Sequence, residues 1–188
     1  MINILIVGVG GQGTLLASRV LGSYAALKGL DCKLSEVHGM SQRGGSVVTH
    51  VRIGESVGSP LVSEGEADFI LAFEQLEALR WSHYLKKSGT VLINNQRILP
   101  MPVITGAQSY PNGIFDRLTE ESKSYKIIEG LALAAEAGNT KAVNIVMLGV
   151  LFRLMGESLD TAREAVKASV PAKFLDVNLK AVTLGYNS

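Results

Sequence analysis

The stretch INILIVGVGGQGTLLASRVL (Ile2–Leu21) decides the fold, because its residue pattern changes twice within twenty residues. Ile2–Val7 is an apolar, largely β-branched run, which is typical of a strand buried on both faces. Gly8–Gly13 reads as a tight turn, and Thr14–Lys28 has the apolar spacing of a helix. The stretch therefore predicts a strand, a glycine turn and a helix, which is how an α/β domain often begins.

Strands and helices continue to alternate along the chain. The pattern predicts further strands at Cys32–Val37, Ser46–Ile53, Phe69–Phe73, Ser88–Asn94 and Tyr125–Ile128, and helices at Glu74–Leu85, Asn112–Ser124 and Leu131–Ala137. The last third, Thr140–Tyr186, reads as mainly helical, with breaks near Gly156 and Pro171. We expect one Rossmann-like α/β domain over residues 1–188, with a doubly wound, mainly parallel sheet and a helical C-terminal third.

Composition limits the classes of function. The chain has 188 residues, 47% of them hydrophobic, and a formal net charge of +1, so nothing in its charge suggests a nucleic-acid or membrane partner. Its one cysteine, Cys32, allows no internal disulfide and fits a reducing compartment. The longest apolar stretch, Val143–Phe152, is far shorter than the roughly 18 residues that span a bilayer. We therefore expect a cytoplasmic protein.

The first motif is GVGGQG, Gly8 to Gly13, which fits the pattern G-x-G-x-x-G between a strand and a helix. In dinucleotide-binding proteins such glycines allow a tight turn and let a pyrophosphate approach the start of the helix. Under that interpretation the glycines would contact NAD(P) or FAD, and Glu36 would bind its ribose. Whichever ligand or chain the turn meets, its candidate binding or interface residues are Gly10, Gly11, Gln12 and Gly13. Two alternatives remain at this point: the glycines only form a close turn, or they face another chain.

The second motif is HGMSQRGG, His38 to Gly45, which follows the second predicted strand. We expect it at the same edge of the sheet as the glycine turn, so that two loops able to bind a ligand share one crevice. Arg43 has a planar set of donors suited to carboxylate or phosphate, and its glycine neighbours leave it accessible. The candidate binding or interface residues here are Ser41, Gln42, Arg43, Gly44 and Gly45. The alternative is a solvent-exposed loop with a hydrated arginine.

No catalytic residue is assigned from the sequence. It has no G-x-S-x-G nucleophile elbow, no Walker loop, and no group of His, Cys and Asp residues with metal-ligand spacing. A chemical step performed by this chain alone is therefore poorly supported, and no metal site is predicted.

Five segments together carry a resemblance to a known family: VGVGGQGTLLASRVLG, EVHGMSQRGGSVVTHVRIG, SPLVSEGEADFILAFEQLEALR, SGTVLIN and GNTKAVNIVMLGVL. They resemble the gamma-type subunit of the 2-oxoacid:ferredoxin oxidoreductases, and within that family the beta subunit of indolepyruvate oxidoreductase. The resemblance extends from Ile4 to about Leu151, and HGMSQRGG is its more specific part.

The resemblance implies a subunit that is inactive alone. A larger partner subunit would hold thiamine diphosphate, magnesium and iron–sulfur clusters, and this chain would hold no cofactor. The complex would convert a 2-oxo acid, coenzyme A and oxidised ferredoxin into an acyl-CoA, carbon dioxide and reduced ferredoxin. This chain would close the site and help to position substrate or coenzyme A. The alternatives are a stand-alone NAD(P)- or FAD-dependent oxidoreductase and an interaction subunit without a ligand.

The segment AVNIVMLGVLFRLMG, Ala142 to Gly156, predicts a helix that is apolar on nearly every side. A helix at a protein surface normally keeps a polar face. Because this helix has none, the side turned away from the sheet must also be covered. Either another chain covers it, or the C-terminal helices of this chain wrap over it. The first interpretation predicts a subunit contact at Phe152, or at the loops around Asn144.

Overall fold

The computed structural model describes residues 1–38, 45–121 and 123–188, with His38 described in its backbone only. In this part of the chain one six-stranded sheet has the strand order β2-β3-β1-β4-β5-β6. The strands are β1 (Ile2–Val9), β2 (Asp31–His38), β3 (Ser46–Gly54), β4 (Ala67–Ala72), β5 (Leu85–Asn94) and β6 (Ser124–Ile128).

Strands β1, β4, β5 and β6 are parallel, whereas β3 is antiparallel to both of its neighbours, β1 and β2. Only residues 39–45 separate β2 from β3. That connection is too short for the crossover that parallel pairing requires, so β3 returns antiparallel. The predicted α/β class with a mainly parallel sheet is confirmed.

Helices cover both faces of the sheet. They are α1 (Thr14–Leu27), α2 (Gln75–Arg80), α3 (Met101–Ile104), α4 (Ile114–Glu120), α5 (Gly130–Ala137), α6 (Val143–Leu154), α7 (Leu159–Lys167) and α8 (Leu175–Asn187). Alternate residues of β1 enter two different cores: Ile4 and Ile6 pack with α1 and the C-terminal helices, and Leu5 and Val7 pack with α2 and α4. The predicted doubly wound arrangement and helical C-terminal third are therefore confirmed.

One predicted helix is too long. The segment expected to be helical over Glu74–Leu85 is an α-helix only to Arg80, followed by a 3₁₀ turn at Ser82–Tyr84. Strand β5 then begins at Leu85, which pairs with Ala67 and is buried. Burial of Leu85 against the sheet thus overrides the helical spacing that the sequence suggests.

Helix α6, which is apolar on nearly every side, is surrounded by other helices of the same chain. All residues from Asn144 to Phe152 are buried. Contact with α8 is close enough that a Cβ added to Gly185 would lie 1.9 Å from the Val146 carbonyl oxygen. The C-terminal helices therefore supply the cover that the sequence leaves open. Among the described residues, no helix combines the length and apolarity needed to cross a membrane.

Candidate functional site

The glycine turn links the end of β1 to the start of α1. Gly11 has φ +101° and Gly13 has φ +82°, the left-handed region that side chains other than glycine rarely adopt. Gly13 is also the N-cap of α1, and no side chain caps that helix. The turn therefore needs glycine for its backbone conformation, and it leaves the start of α1 without a capping side chain.

The side chain of Gln12 folds back into the turn. Its Oε1 accepts the Val9 N–H at 2.7 Å, and its Nε2 donates to the Phe73 carbonyl oxygen at 2.9 Å. A Cβ added to Gly8 would lie 2.8 Å from the Gln12 Oε1, so Gly8 makes room for this side chain. Gln12 thereby ties the end of β1 to the residue that follows β4.

The two predicted loops meet at Gly45. Its carbonyl oxygen accepts the Gly10 N–H at 2.9 Å, and the first residue of β3, Ser46, pairs with Val9 at the end of β1. This contact agrees with the expectation that the second motif ends at the sheet edge that carries the glycine turn. Ser41, Gln42, Arg43 and Gly44 lie outside the described residues, so their proposed binding role stays a prediction.

Asn144, at the start of α6, holds the same turn from the helical side. Its Nδ2 donates to the Gly13 carbonyl oxygen at 3.1 Å, and its Oδ1 accepts the Ile145 N–H at 2.9 Å. A Cβ added to Gly13 would lie 2.4 Å from that Nδ2. Because Asn144 is only 3% exposed, its side chain supports the turn inside this chain. That the loop beside it adjoins a partner subunit stays a prediction.

Phe152 does not make the predicted partner contact. Its side chain is 0% exposed and packs edge-to-face on Tyr24 of α1, with ring centroids 5.4 Å apart. The sequence suggested a partner because the whole helix is apolar, but α1, α7 and α8 of this chain cover it. Phe152 therefore belongs to the core of the chain.

A cavity of about 460 Å³ opens beside the glycine turn, lined by Gly11, Gln12, Gly13, Phe73, Gln96, Leu131, Thr140, Lys141 and Val143. Gln96 has a defined place in it, because its Oε1 accepts Asn94 Nδ2 at 3.0 Å and lies 3.4 Å from Gln12 Nε2. Gln96 was not among the residues predicted from the sequence. The polar run NNQ, Asn94 to Gln96, which begins at the last residue of a predicted strand, was the signal that could have identified it.

The cavity suits an anionic or polar ligand. Lys141 supplies a positive charge and Thr140 a hydroxyl, and Gly13, the N-cap of α1, also lines the cavity, so the positive end of that helix lies beside it. Glu36 lies on the other side of the turn, where its Oε1 accepts a hydrogen bond from Thr14 Oγ1 at 3.4 Å. Over residues 1–38, 45–121 and 123–188, no group of three His, Cys, Asp or Glu side chains is placed to hold a metal ion.

Comparison with known proteins identifies the family. Residues 3–188 match the family described as pyruvate ferredoxin/flavodoxin oxidoreductase. The chain belongs to this family. Indolepyruvate oxidoreductase subunit IorB of Pyrococcus horikoshii, one similar member, is 46% identical over 97% of this chain and 93% of its own length.

Solved structures agree with this family assignment. The gamma subunit of a keto/oxoacid ferredoxin oxidoreductase from Geobacter sulfurreducens is 25% identical, with a TM-score of 0.74 over 100% of this chain and 97% of its own. A 2-oxoglutarate:ferredoxin oxidoreductase from Magnetococcus marinus, with 2-oxoglutarate, coenzyme A and succinyl-CoA bound, shares the fold at 19% identity and a TM-score of 0.73. Our chain covers 99% of its own length but only 30% of that larger chain.

These similarities confirm the resemblance to the gamma-type subunits that the sequence segments carry. They favour a subunit of an oxidoreductase of this family over a stand-alone NAD(P)- or FAD-dependent enzyme. The geometry agrees, because the N–H groups of Val9, Gly10 and Gln12 already bond within the protein. A dinucleotide pyrophosphate would need open backbone at the second glycine, Gly10.

Proposed function

We propose that this chain, as one domain over residues 1–188, is the small subunit of a cytoplasmic 2-oxoacid:ferredoxin oxidoreductase that acts on indolepyruvate or a similar 2-oxo acid. The complex would decarboxylate the 2-oxo acid oxidatively, form an acyl-CoA and pass two electrons to ferredoxin. The observation that carries this proposal is the 46% identity to an indolepyruvate oxidoreductase subunit over nearly the whole of both chains.

We assign the redox cofactors to a larger partner subunit. An iron–sulfur cluster usually needs four cysteine ligands, and the sequence has only Cys32. Thiamine diphosphate with its magnesium ion would also belong to the partner, because the sequence shows no motif for binding that cofactor. The contribution of this chain is then to bind and orient substrate or coenzyme A, and to exclude water, at the edge of the shared site.

Coenzyme A is the ligand we propose for the cavity beside the glycine turn. Its phosphate groups match the positive charge of Lys141 and the positive end of the α1 dipole, whose N-cap Gly13 lines the cavity. The cavity, at about 460 Å³, has room for part of such a ligand, with its rim open for the remainder to reach a partner. The Gly45 carbonyl and the Gln12 amide fix the shape of the turn.

The larger subunit would dock at the same edge of the sheet. Leu99, Met101 and Ile104 are 49%, 59% and 62% exposed, and we call these three residues the α3 patch. Parts of this segment line a groove together with Gly45 and Ser46, so the patch adjoins the loop that ends at Gly45. Neighbouring exposed apolar side chains commonly mark a protein interface. This position replaces the contact first predicted at Phe152.

Reconstitution tests the proposal. The purified chain is mixed with the larger subunit and supplied with indolepyruvate, coenzyme A and oxidised ferredoxin, and the absorbance of ferredoxin is followed. We expect reduction only when both subunits are present. Activity of the larger subunit alone at the full rate would contradict the proposal. A thermal shift of the isolated chain with NAD or FAD, and none with coenzyme A, would favour the stand-alone enzyme instead.

A further inference from the structure

Glu77 of α2 is a buried carboxylate that the proposed function does not yet use. It is only 3% exposed, and burial raises the pKa of its carboxyl, although hydrogen bonds from Ser46 and Trp81 and the nearby charge of Arg80 act in the opposite direction. A buried charge is costly, and apolar residues of similar size often stabilise a fold as well or better. The position of Glu77 therefore calls for a reason other than stability.

The contacts of Glu77 lead to the glycine turn. Its Oε2 accepts a hydrogen bond of 2.5 Å from Ser46 Oγ, the first residue of β3. The residue before it, Gly45, accepts the Gly10 N–H through its carbonyl oxygen at 2.9 Å. Two hydrogen bonds and one peptide unit thus connect α2 to the glycine turn.

Two other side chains fix the carboxylate itself. Arg80 Nη1 donates to Oε1 at 2.8 Å, and Trp81 Nε1 donates to Oε2 at 3.3 Å. With both oxygens bonded, the carboxylate has one orientation, and Oε2 points at Ser46. Hydrogen bonds to a charged group are stronger than neutral ones, so this arrangement fixes Ser46 more firmly than a neutral acceptor would.

We propose that Glu77 is a positioning residue for the glycine turn. By holding Ser46, it places the Gly45 carbonyl, and that carbonyl places the Gly10 N–H at the turn beside the coenzyme A cavity. The inference rests on the proposed function, because it assumes that the turn contacts coenzyme A. It predicts that changes at Glu77 alter the binding of this co-substrate more than they alter turnover.

The first test measures KM for coenzyme A and kcat in the complex of this chain with its larger subunit. We expect Glu77→Leu, which removes the acceptor, to raise KM about tenfold, with kcat changed less than about twofold. Glu77→Gln keeps one oxygen for Ser46 and should recover most of that loss. Ser46→Ala should resemble Glu77→Leu, and the double variant should be no worse than either single variant, because both remove the same contact.

Glu157→Gln is the matched control. Glu157 accepts hydrogen bonds from Tyr24 and pairs with Lys28, so its loss affects the fold at a site without contact to the turn. We expect the KM of the Glu157→Gln complex for coenzyme A to stay within about twofold of the wild-type value. If Glu77→Leu and Ser46→Ala lower the melting temperature but leave KM within that same range, Glu77 is only structural and the inference is overturned.

A second readout needs no turnover. Trp81 is the only tryptophan in the sequence and donates to Glu77, so its fluorescence reports on this network. Titration of the isolated full chain with coenzyme A should change Trp81 emission in wild type and leave it unchanged in Ser46→Ala. No change in wild type, or an equal change in both proteins, would overturn the inference. A wild-type complex without 2-oxo acid oxidation would instead contradict the proposed function.

Discussion

Glycines are required in two regions of this molecule, the α6–α8 contact and the turn after β1, and the surroundings of the two sets differ. A Cβ added to Gly149 would lie 2.3 Å from the Val182 carbonyl oxygen, and one added to Gly185 would lie 1.9 Å from that of Val146. At Gly11, in contrast, an added Cβ meets nothing within 4 Å, although φ is +101°. The helical glycines are required by neighbouring backbone, whereas Gly11 is required by its own backbone conformation.

The first region packs two helices together, whereas the second borders a cavity. Close contact between α6 and α8 buries an apolar helix within the chain and leaves no space for a ligand. The turn is held by Gln12, Gly45 and Asn144 from three sides, yet its outer surface stays open beside the cavity. Substitutions in the first region should therefore affect folding, and substitutions in the second should affect binding as well as folding.

The largest effect is expected at Phe152. Phe152→Glu places a charge where the side chain is 0% exposed and removes its packing on Tyr24, so the free energy of unfolding should fall by more than about 5 kcal/mol. The isolated chain should lose its near-ultraviolet circular dichroism. Leu154→Glu, on the same helix but 43% exposed, should cost less than about 1 kcal/mol. A folded Phe152→Glu chain that fails to assemble would restore the predicted subunit contact.

Gly185→Ala should have the next largest effect. The added methyl group would overlap the Val146 carbonyl and force α6 and α8 apart. The free energy of unfolding, measured by urea denaturation, should fall by about 3 kcal/mol. Gly22→Ala is the control, because Gly22 lies within α1 and an added Cβ comes no closer than 4.0 Å to Leu34 Cδ1. That change should stabilise the chain by about 0.4–1 kcal/mol. Equal effects at both positions would mean that α6 and α8 are not in close contact.

At the turn, Gly13→Ala and Gly11→Ala should differ. Both force a side chain into the left-handed region, which costs about 1–2 kcal/mol. Gly13→Ala should cost about 1 kcal/mol more, because its methyl group would lie against Asn144 Nδ2. In an Asn144→Ala background, Gly13→Ala and Gly11→Ala should lower the free energy of unfolding by equal amounts. A persistent excess would show that Asn144 does not set the space at Gly13.

The smallest effect concerns pH. Burial raises the pKa of the Glu157 carboxyl, but hydrogen bonds from Lys28 and Tyr24 outweigh it and hold the pKa below its usual value. A lowered carboxyl pKa stabilises the fold above the unfolded-state pKa of about 4, and this contribution is lost as the pH falls through the folded-state pKa. Glu157→Gln should thus cost at most about 1 kcal/mol at pH 7, and this cost should shrink as the pH falls from about 4 through the folded-state pKa of Glu157. A constant difference across this range would contradict the assignment.

Much of the fold could be predicted because short sequence patterns decide it. The apolar run and glycines of Ile2–Gly13 predicted β1 and its turn, and the alternation of elements predicted a doubly wound sheet. Contacts distant in sequence were less accessible. No local pattern shows that α8 covers Phe152, that Leu85 starts a strand, or that Glu77 reaches Ser46. At the candidate site, the sequence named Gln12 and Asn144 for ligand or partner contacts, but it did not show that both side chains hold the glycine turn. It gave no indication of Gln96, Glu77 or Ser46.

The sheet edge with the glycine turn and the α3 patch should be the face that binds the larger subunit. The most direct test is co-purification of that subunit with the double variant Met101→Glu/Ile104→Glu, analysed by size-exclusion chromatography beside Leu154→Glu. Both substituted side chains of the double variant are exposed, so the isolated chain should stay folded, as circular dichroism would verify. We predict that the double variant elutes without the larger subunit, whereas Leu154→Glu elutes with it. A double variant that still co-elutes at full stoichiometry would contradict the claim.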